Sequence, residues 1–110
     1  MAAAASAYLN GLDLKQIEYA AEIAMEHHLG LTCDPVGGYV IIPCIERNGV
    51  ALLRAFDAML LAKSMAEIKE NRVRFDMVVN TMSYTGHRLP IELKETSLGG
   101  LAMEIKVNEE

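Results

Sequence analysis

No tryptophan occurs anywhere in the 110 residues, and two phenylalanines and four tyrosines make up the whole aromatic complement. A chain so poor in aromatics and rich in Ala, Leu, Ile and Met favours packed helices over an aromatic-rich sandwich. Positive charge is also scarce: ten Lys and Arg against fifteen Asp and Glu leave a net charge of −5. That balance argues against a nucleic-acid or anionic-membrane surface, both of which draw clustered cations, so the expected partner is a small molecule. No stretch is long and apolar enough to span a bilayer, and the start MAAAASAYLNGLDLKQ lacks the basic and continuous apolar regions of a signal peptide. A cytoplasmic protein is the expectation. Only two cysteines are present. In a reducing compartment they are thiols or metal ligands rather than a disulfide, and composition does not choose between those two.

The length suits one domain with a modest core that needs partners. Met1 to Leu12 is Ala-rich and ends in Asn10-Gly11, so it reads as the last turns of a helix. Asp13 and Gln16 have the spacing of a capping box, and Leu14, Ile17, Ala21, Ala24 and His28 then follow one face of a helix over about 13–29, ending at Gly30. From Leu31 to Pro43 the prolines and glycines break helical periodicity, and Tyr39-Val40-Ile41-Ile42 reads as a buried loop or an extended segment. Pro43 suits the first turn of the next helix, along which Leu52, Leu53, Phe56, Met59, Leu60 and Lys63 recur at helical spacing. Gly49 lies inside it, where a close backbone contact would explain its cost. Ser64 and Glu67 suggest a second capping box opening a short helical piece, and Lys69 to Arg72 a solvated connection. Phe75, Val78, Val79 and Met82 predict a further helix with Gly86 as its C-cap. Beyond Pro90 the chain is turn-like, with a strand or an irregular end over 102–107. The fold class is thus all-α: a helical fragment with a Cys-containing Gly/Pro loop and an irregular C-terminal tail.

The chemistry-bearing segment is Leu31-Thr32-Cys33-Asp34-Pro35-Val36-Gly37-Gly38, followed by Ile42-Pro43-Cys44-Ile45-Glu46-Arg47-Asn48. Glycines let backbone approach a bulky inorganic group, and a helix N-terminus at Cys44 would stabilise thiolate and sulfide charge. Ten residues separate the cysteines, a spacing of neither zinc ribbons nor ferredoxins, so the bare pattern leaves buried thiols open beside a metal site.

Those flanks, with Glu26-His27-His28-Leu29-Gly30 before them, resemble the bacterial iron–sulfur-dependent L-serine dehydratases, and Lys94-Glu95-Thr96-Ser97-Leu98-Gly99-Gly100-Leu101-Ala102 resembles that family's closing motif. The two blocks stand in family order, and the resemblance covers about residues 13–103. It implies a C-terminal part of the catalytic α domain over 1–110, with upstream α-domain helices and a smaller β domain or subunit lying elsewhere. It further implies a [4Fe-4S] cluster held by three cysteines, of which Cys33 and Cys44 match the second and third. The first belongs to a Cys-Ser-Pro-Thr-like motif, which this sequence lacks, so a truncated piece is expected. The implied reaction is deamination of L-serine to pyruvate and ammonia, a step of amino-acid catabolism and gluconeogenesis. An open iron would act as Lewis acid on the hydroxyl while a general base takes the Cα proton.

Within that frame His27 and His28 are candidate bases or hydrogen-bond partners of a cluster sulfide, a helix-packing His28 and a solvent-facing His27 being the plainer roles. Arg47 and Asn48 could receive the substrate carboxylate, Arg47 pairing with Glu46 or a helix end being the plainer role. Asp34 is expected to cap the turn after Cys33 rather than to orient a histidine, the other role open to it. Lys94, Thr96 and Ser97 could contact substrate, or merely dock the tail, and the methionines are core or interface filler. The tail from Lys94 to Leu101 is expected beside the cysteine loop. Some family members carry a cysteine after the Gly-Gly block, whereas this chain ends Val107-Asn108-Glu109-Glu110. Rival readings are a related cluster-dependent cysteine desulfidase and a non-enzymatic helical subunit with core thiols. Exposed apolar faces are expected to permit homo-oligomers.

Overall fold

The computed structural model describes residues 1–106, and among them it contains α-helices, two short 3₁₀ turns and no strand. The α-helices are α1 (Ala2–Leu9), α2 (Leu14–Glu26), α3 (Cys44–Ala66), α4 (Phe75–Gly86) and α5 (Leu101–Lys106). The all-α expectation is therefore met.

Local chemistry explains the boundaries. Helix α1 stops in a Schellman motif: the Leu12 amide reaches the Ala7 carbonyl at 3.1 Å and the Gly11 amide the Tyr8 carbonyl at 3.0 Å, with Gly11 at φ 74°. Helix α2 opens on the expected capping box: the Gln16 amide donates to Asp13 Oδ1 at 2.8 Å, and the Asp13 amide to Gln16 Oε1 at 3.0 Å. It ends at Glu26, earlier than expected, and residues 27–30 form a turn. Pro43 directly precedes α3, and α4 begins after Arg74, whose guanidinium forks onto Glu18 of α2 with both N···O distances 3.1 Å.

The core is where α1, α2 and α3 meet. Ala3, Ala7, Ala20, Ala55, Ala58 and Ala62 are buried there with Leu12, Ile23 and Met59. Methyl side chains let the three backbones approach closely, but each removes little apolar surface from water, so this core is thin. The radius of gyration is 16.6 Å, whereas a self-contained domain of this size measures about 13 Å. With principal extents of 55 × 26 × 18 Å, the chain is elongated.

The stripe Leu52, Leu53, Phe56 and Leu60, whose spacing marks α3 as expected, is exposed, and the adjacent alanine face packs, with Met59 shared by both. Several expectations need correction. Tyr39 to Ile42 is likewise exposed rather than buried. A Cβ at Gly49 would meet nothing within 4 Å, so no close contact among the described residues explains that glycine. Ser64 does not start a new helix, because α3 runs through it to Ala66. A strong helix-forming context there overrides a local Ser-x-x-Glu signal. Gly86 is the last residue of α4 and His87 its cap. The tail is irregular only to Gly100; residues 101–106 are helical rather than extended, because Asp34 caps their first amide. Val107, also part of that expectation, lies outside the described residues.

Candidate cysteine-loop site

Residues 31–43 form the loop between α2 and α3. A 3₁₀ turn at Val36–Gly38 and a hydrogen bond from the Val36 amide to the Ile42 carbonyl, 2.9 Å, close it on itself. The peptide bond between Ile42 and Pro43 is cis. Cys33 precedes this closure and Cys44 is the first residue of α3. Both thiols are free; Cys33 is exposed and Cys44 half-buried.

The tail docks on this loop through four hydrogen bonds. The Cys33 amide donates to the Leu93 carbonyl at 3.1 Å, and the Thr96 amide donates to the Cys33 carbonyl at 3.3 Å. Ser97 Oγ donates to the Pro35 carbonyl at 2.8 Å, and the Leu101 amide to Asp34 Oδ2 at 2.6 Å. Two sequence blocks some sixty residues apart thus become one surface, with the Ser97 and Leu101 bonds spanning 62 and 67 residues. Gly100 permits the closest approach: it has φ 62°, and a Cβ there would collide with the Asp34 carboxylate.

Asp34 is 1% exposed. Its other oxygen, Oδ1, accepts from Arg47 Nη1 at 2.5 Å, and the same nitrogen donates to the Thr32 carbonyl at 3.2 Å. Burial pushes the Asp34 carboxyl up, but the Leu101 amide and the Arg47 guanidinium outweigh it and hold the group below the ordinary carboxylate range. Arg47 therefore pairs with Asp34, not Glu46. Asn48, exposed, donates from Nδ2 to the Cys44 carbonyl at 2.8 Å. Lys94 is half-buried beside the docked segment; its amide donates to the Ile91 carbonyl at 3.2 Å, and its side chain makes no hydrogen bond or ion pair among the described residues.

The two histidines end α2. His27 Nδ1 lies 2.7 Å from the Ile23 carbonyl and His28 Nδ1 2.6 Å from the Ala24 carbonyl. A carbonyl only accepts, so each Nδ1 carries the proton, and Nε2 of the neutral ring keeps a lone pair. His27 is exposed, while His28 is half-buried along an apolar groove with Ala24, Ala55 and Phe75. No group of three or more His, Cys, Asp or Glu side chains gathers as a metal site among the described residues. No helix there is long and apolar enough to cross a membrane.

Sequence reasoning missed two features. The double role of Asp34 had one available signal, an acid beside a glycine pair brought near by the tail. Glu22 had none: it is 1% exposed on α2 and, among the described residues, its Oε1 has no hydrogen-bond partner while Asn71 reaches its Oε2 at 3.3 Å. Burial and the neighbouring Glu26 carboxylate push its pKa up to about 7.

Comparison with known proteins bears on this arrangement. The family described as "Serine dehydratase alpha chain" matches residues 1–102. Curated relatives include an L-serine dehydratase of Streptomyces coelicolor, 51% identical over 105 residues, and L-serine dehydratase 2 of Escherichia coli K12, 51% identical over 105 residues. Another is an L-serine dehydratase of Mycobacterium tuberculosis, 50% identical over 108 residues. These alignments cover 96–98% of this chain but 23% of each relative. The chain spans about a quarter of their length.

Proposed function

The chain belongs to the serine dehydratase alpha chain family, and from that premise we propose that it forms the cysteine-loop part of an L-serine ammonia-lyase, which deaminates L-serine to pyruvate and ammonia. The observation that carries the reading is the junction itself: both family motifs converge, with the tail hydrogen-bonded to the backbone of Cys33.

The donor set fits part of an iron–sulfur site. Cys33 and Cys44 are unpaired thiols, one exposed and one at the start of a 23-residue helix, which suits them as two ligands of a [4Fe-4S] cluster. Further ligands must come from a segment beyond this chain, in keeping with the share of the relatives it spans. When bound, such a cluster supplies a Lewis acid that polarises the serine hydroxyl toward departure.

The protein's own residues do the rest. Nε2 of His27 or His28 is free to take a proton from the substrate's Cα, its tautomer fixed by the carbonyl on the other nitrogen. Arg47 has its Nη1 committed to Asp34 and Thr32, so Lys94, whose ammonium is unpaired among the described residues, is better placed to meet a substrate carboxylate. Asn48 and Ser97 spend side-chain donors on the carbonyls of Cys44 and Pro35, which orders the loop, though Ser97 Oγ can still accept from an ammonium. The exposed face of α3 is expected to lie under upstream α-domain helices, and the β domain or subunit completes the enzyme. A cytoplasmic setting, and a place in amino-acid catabolism feeding gluconeogenesis, form part of the same proposal.

The test joins this chain to the remaining α and β segments of a relative and assays it anaerobically with L-serine and L-cysteine in parallel. Pyruvate from serine supports the proposal. Sulfide from cysteine with no pyruvate from serine would replace it with a desulfidase, and neither product would favour a non-enzymatic subunit.

A further inference from the structure

Arg47 grips the residues on both sides of Cys33, taking the Thr32 carbonyl and the Asp34 carboxylate with a single nitrogen. It is rooted on α3 three residues after Cys44. This side chain therefore ties one cysteine segment to the other, beside the backbone bond from Val36 to Ile42. Asp34 carries the connection onward, since its second oxygen holds the first amide of α5. Both carboxylate oxygens are used, each on a different element, and the group is shut off from water. Gly100 leaves no room between the tail and that carboxylate.

We propose that Asp34 and Arg47 are positioning residues that couple docking of the 94–101 tail to the placement of Cys33 against α3. The catalytic consequence, a fixed geometry between two metal-binding thiols, rests on the function proposed above; the coupling itself does not. Arg47 makes no hydrogen bond to the tail itself, so its link to the tail runs through the residues flanking Cys33, with Asp34 holding the Leu101 amide alongside the direct bonds of the tail to the Cys33 backbone.

The experiment follows amide hydrogen exchange at Leu101 by NMR, and the rate of Cys33 alkylation by iodoacetamide relative to Cys44, in the full 110-residue chain. Arg47→Gln, a change at a partly exposed side chain, is expected to speed Leu101 exchange about tenfold, the scale of one charge-assisted hydrogen bond. It should also raise the Cys33-to-Cys44 alkylation ratio at least about threefold. Asp34→Asn should do the same, while Arg47→Lys, which keeps the charge on Asp34, should restore most of the Leu101 protection. Helix content by circular dichroism separates release of the tail from unfolding, and Gly100→Ala perturbs the junction from the tail side if Asp34→Asn does not fold. Leu101 exchange and Cys33 alkylation unchanged in Arg47→Gln would overturn the coupling. These readouts need no iron, so a chain that behaves as expected yet binds no iron when completed by its upstream segment overturns the cluster and leaves the coupling standing.

Discussion

Replacing Glu22 by glutamine should stabilise this protein, and only above a definite pH. Glu22 is 1% exposed, one of its carboxylate oxygens has no partner among the described residues, and its pKa rises from 4.5 to about 7 through burial first and the Glu26 carboxylate second. A folded-state pKa above the unfolded one means that the folded chain holds the proton more tightly. Below pH 4.5 both states are protonated and nothing is lost. Between pH 4.5 and about 7 the unfolded chain ionises while the folded one does not, so stability falls as pH rises. Above that window the folded state carries a buried carboxylate, at a cost of about 3 kcal/mol given ~1.4 kcal/mol per pKa unit. Glu22→Gln keeps an oxygen for Asn71 and an N–H that can point to Glu26, as the protonated acid would. Urea denaturation followed by helical circular dichroism at pH 4.5, 6 and 8 reads the difference. The variant should match the wild type at the lowest pH and exceed it by about 2–3 kcal/mol at the highest. A difference that does not change with pH, or a wild type more stable at pH 8, would refute the reasoning.

Two further outcomes follow from the fold. Asp13→Ala removes the side-chain half of the α2 capping box and should cost about 1 kcal/mol in urea unfolding, with Asp13→Ser recovering most of it. The exposed face of α3 should drive self-association of the isolated chain. Leu53 and Phe56 are 64% and 48% exposed, and the double change Leu53→Glu with Phe56→Glu should shift sedimentation toward monomer while helix content stays constant. Persistent association of that variant would place the contact elsewhere.

Much of the fold was legible because local signals agreed with it. The Asp13–Gln16 box, the Asn10-Gly11 stop and Pro43 at the head of α3 are decided within a few residues, and the structure keeps all three. The periodic apolar residues of α3 marked a helix correctly without deciding which of its faces packs inside this chain. Periodicity locates an apolar stripe without saying which surface covers it, and in this chain the alanines take the interior. Helix α5 was missed because its first amide is held by a side chain 67 residues away, a contact that no local pattern encodes. The meeting of the cysteine loop with the tail was expected from family resemblance and is present in the structure. The Asp34 junction that makes it, and the burial of Glu22, depend on tertiary surroundings that sequence spacing does not reveal.

The central claim is that Cys33 and Cys44 together hold inorganic iron. It is tested most directly by measuring iron and acid-labile sulfide bound per chain after anaerobic reconstitution of this chain joined to the upstream α-domain segment of a relative. Stoichiometric iron and sulfide, lost to near background in Cys33→Ser and in Cys44→Ser, is the predicted result. Uptake of neither, or uptake that both serine variants retain, would contradict it.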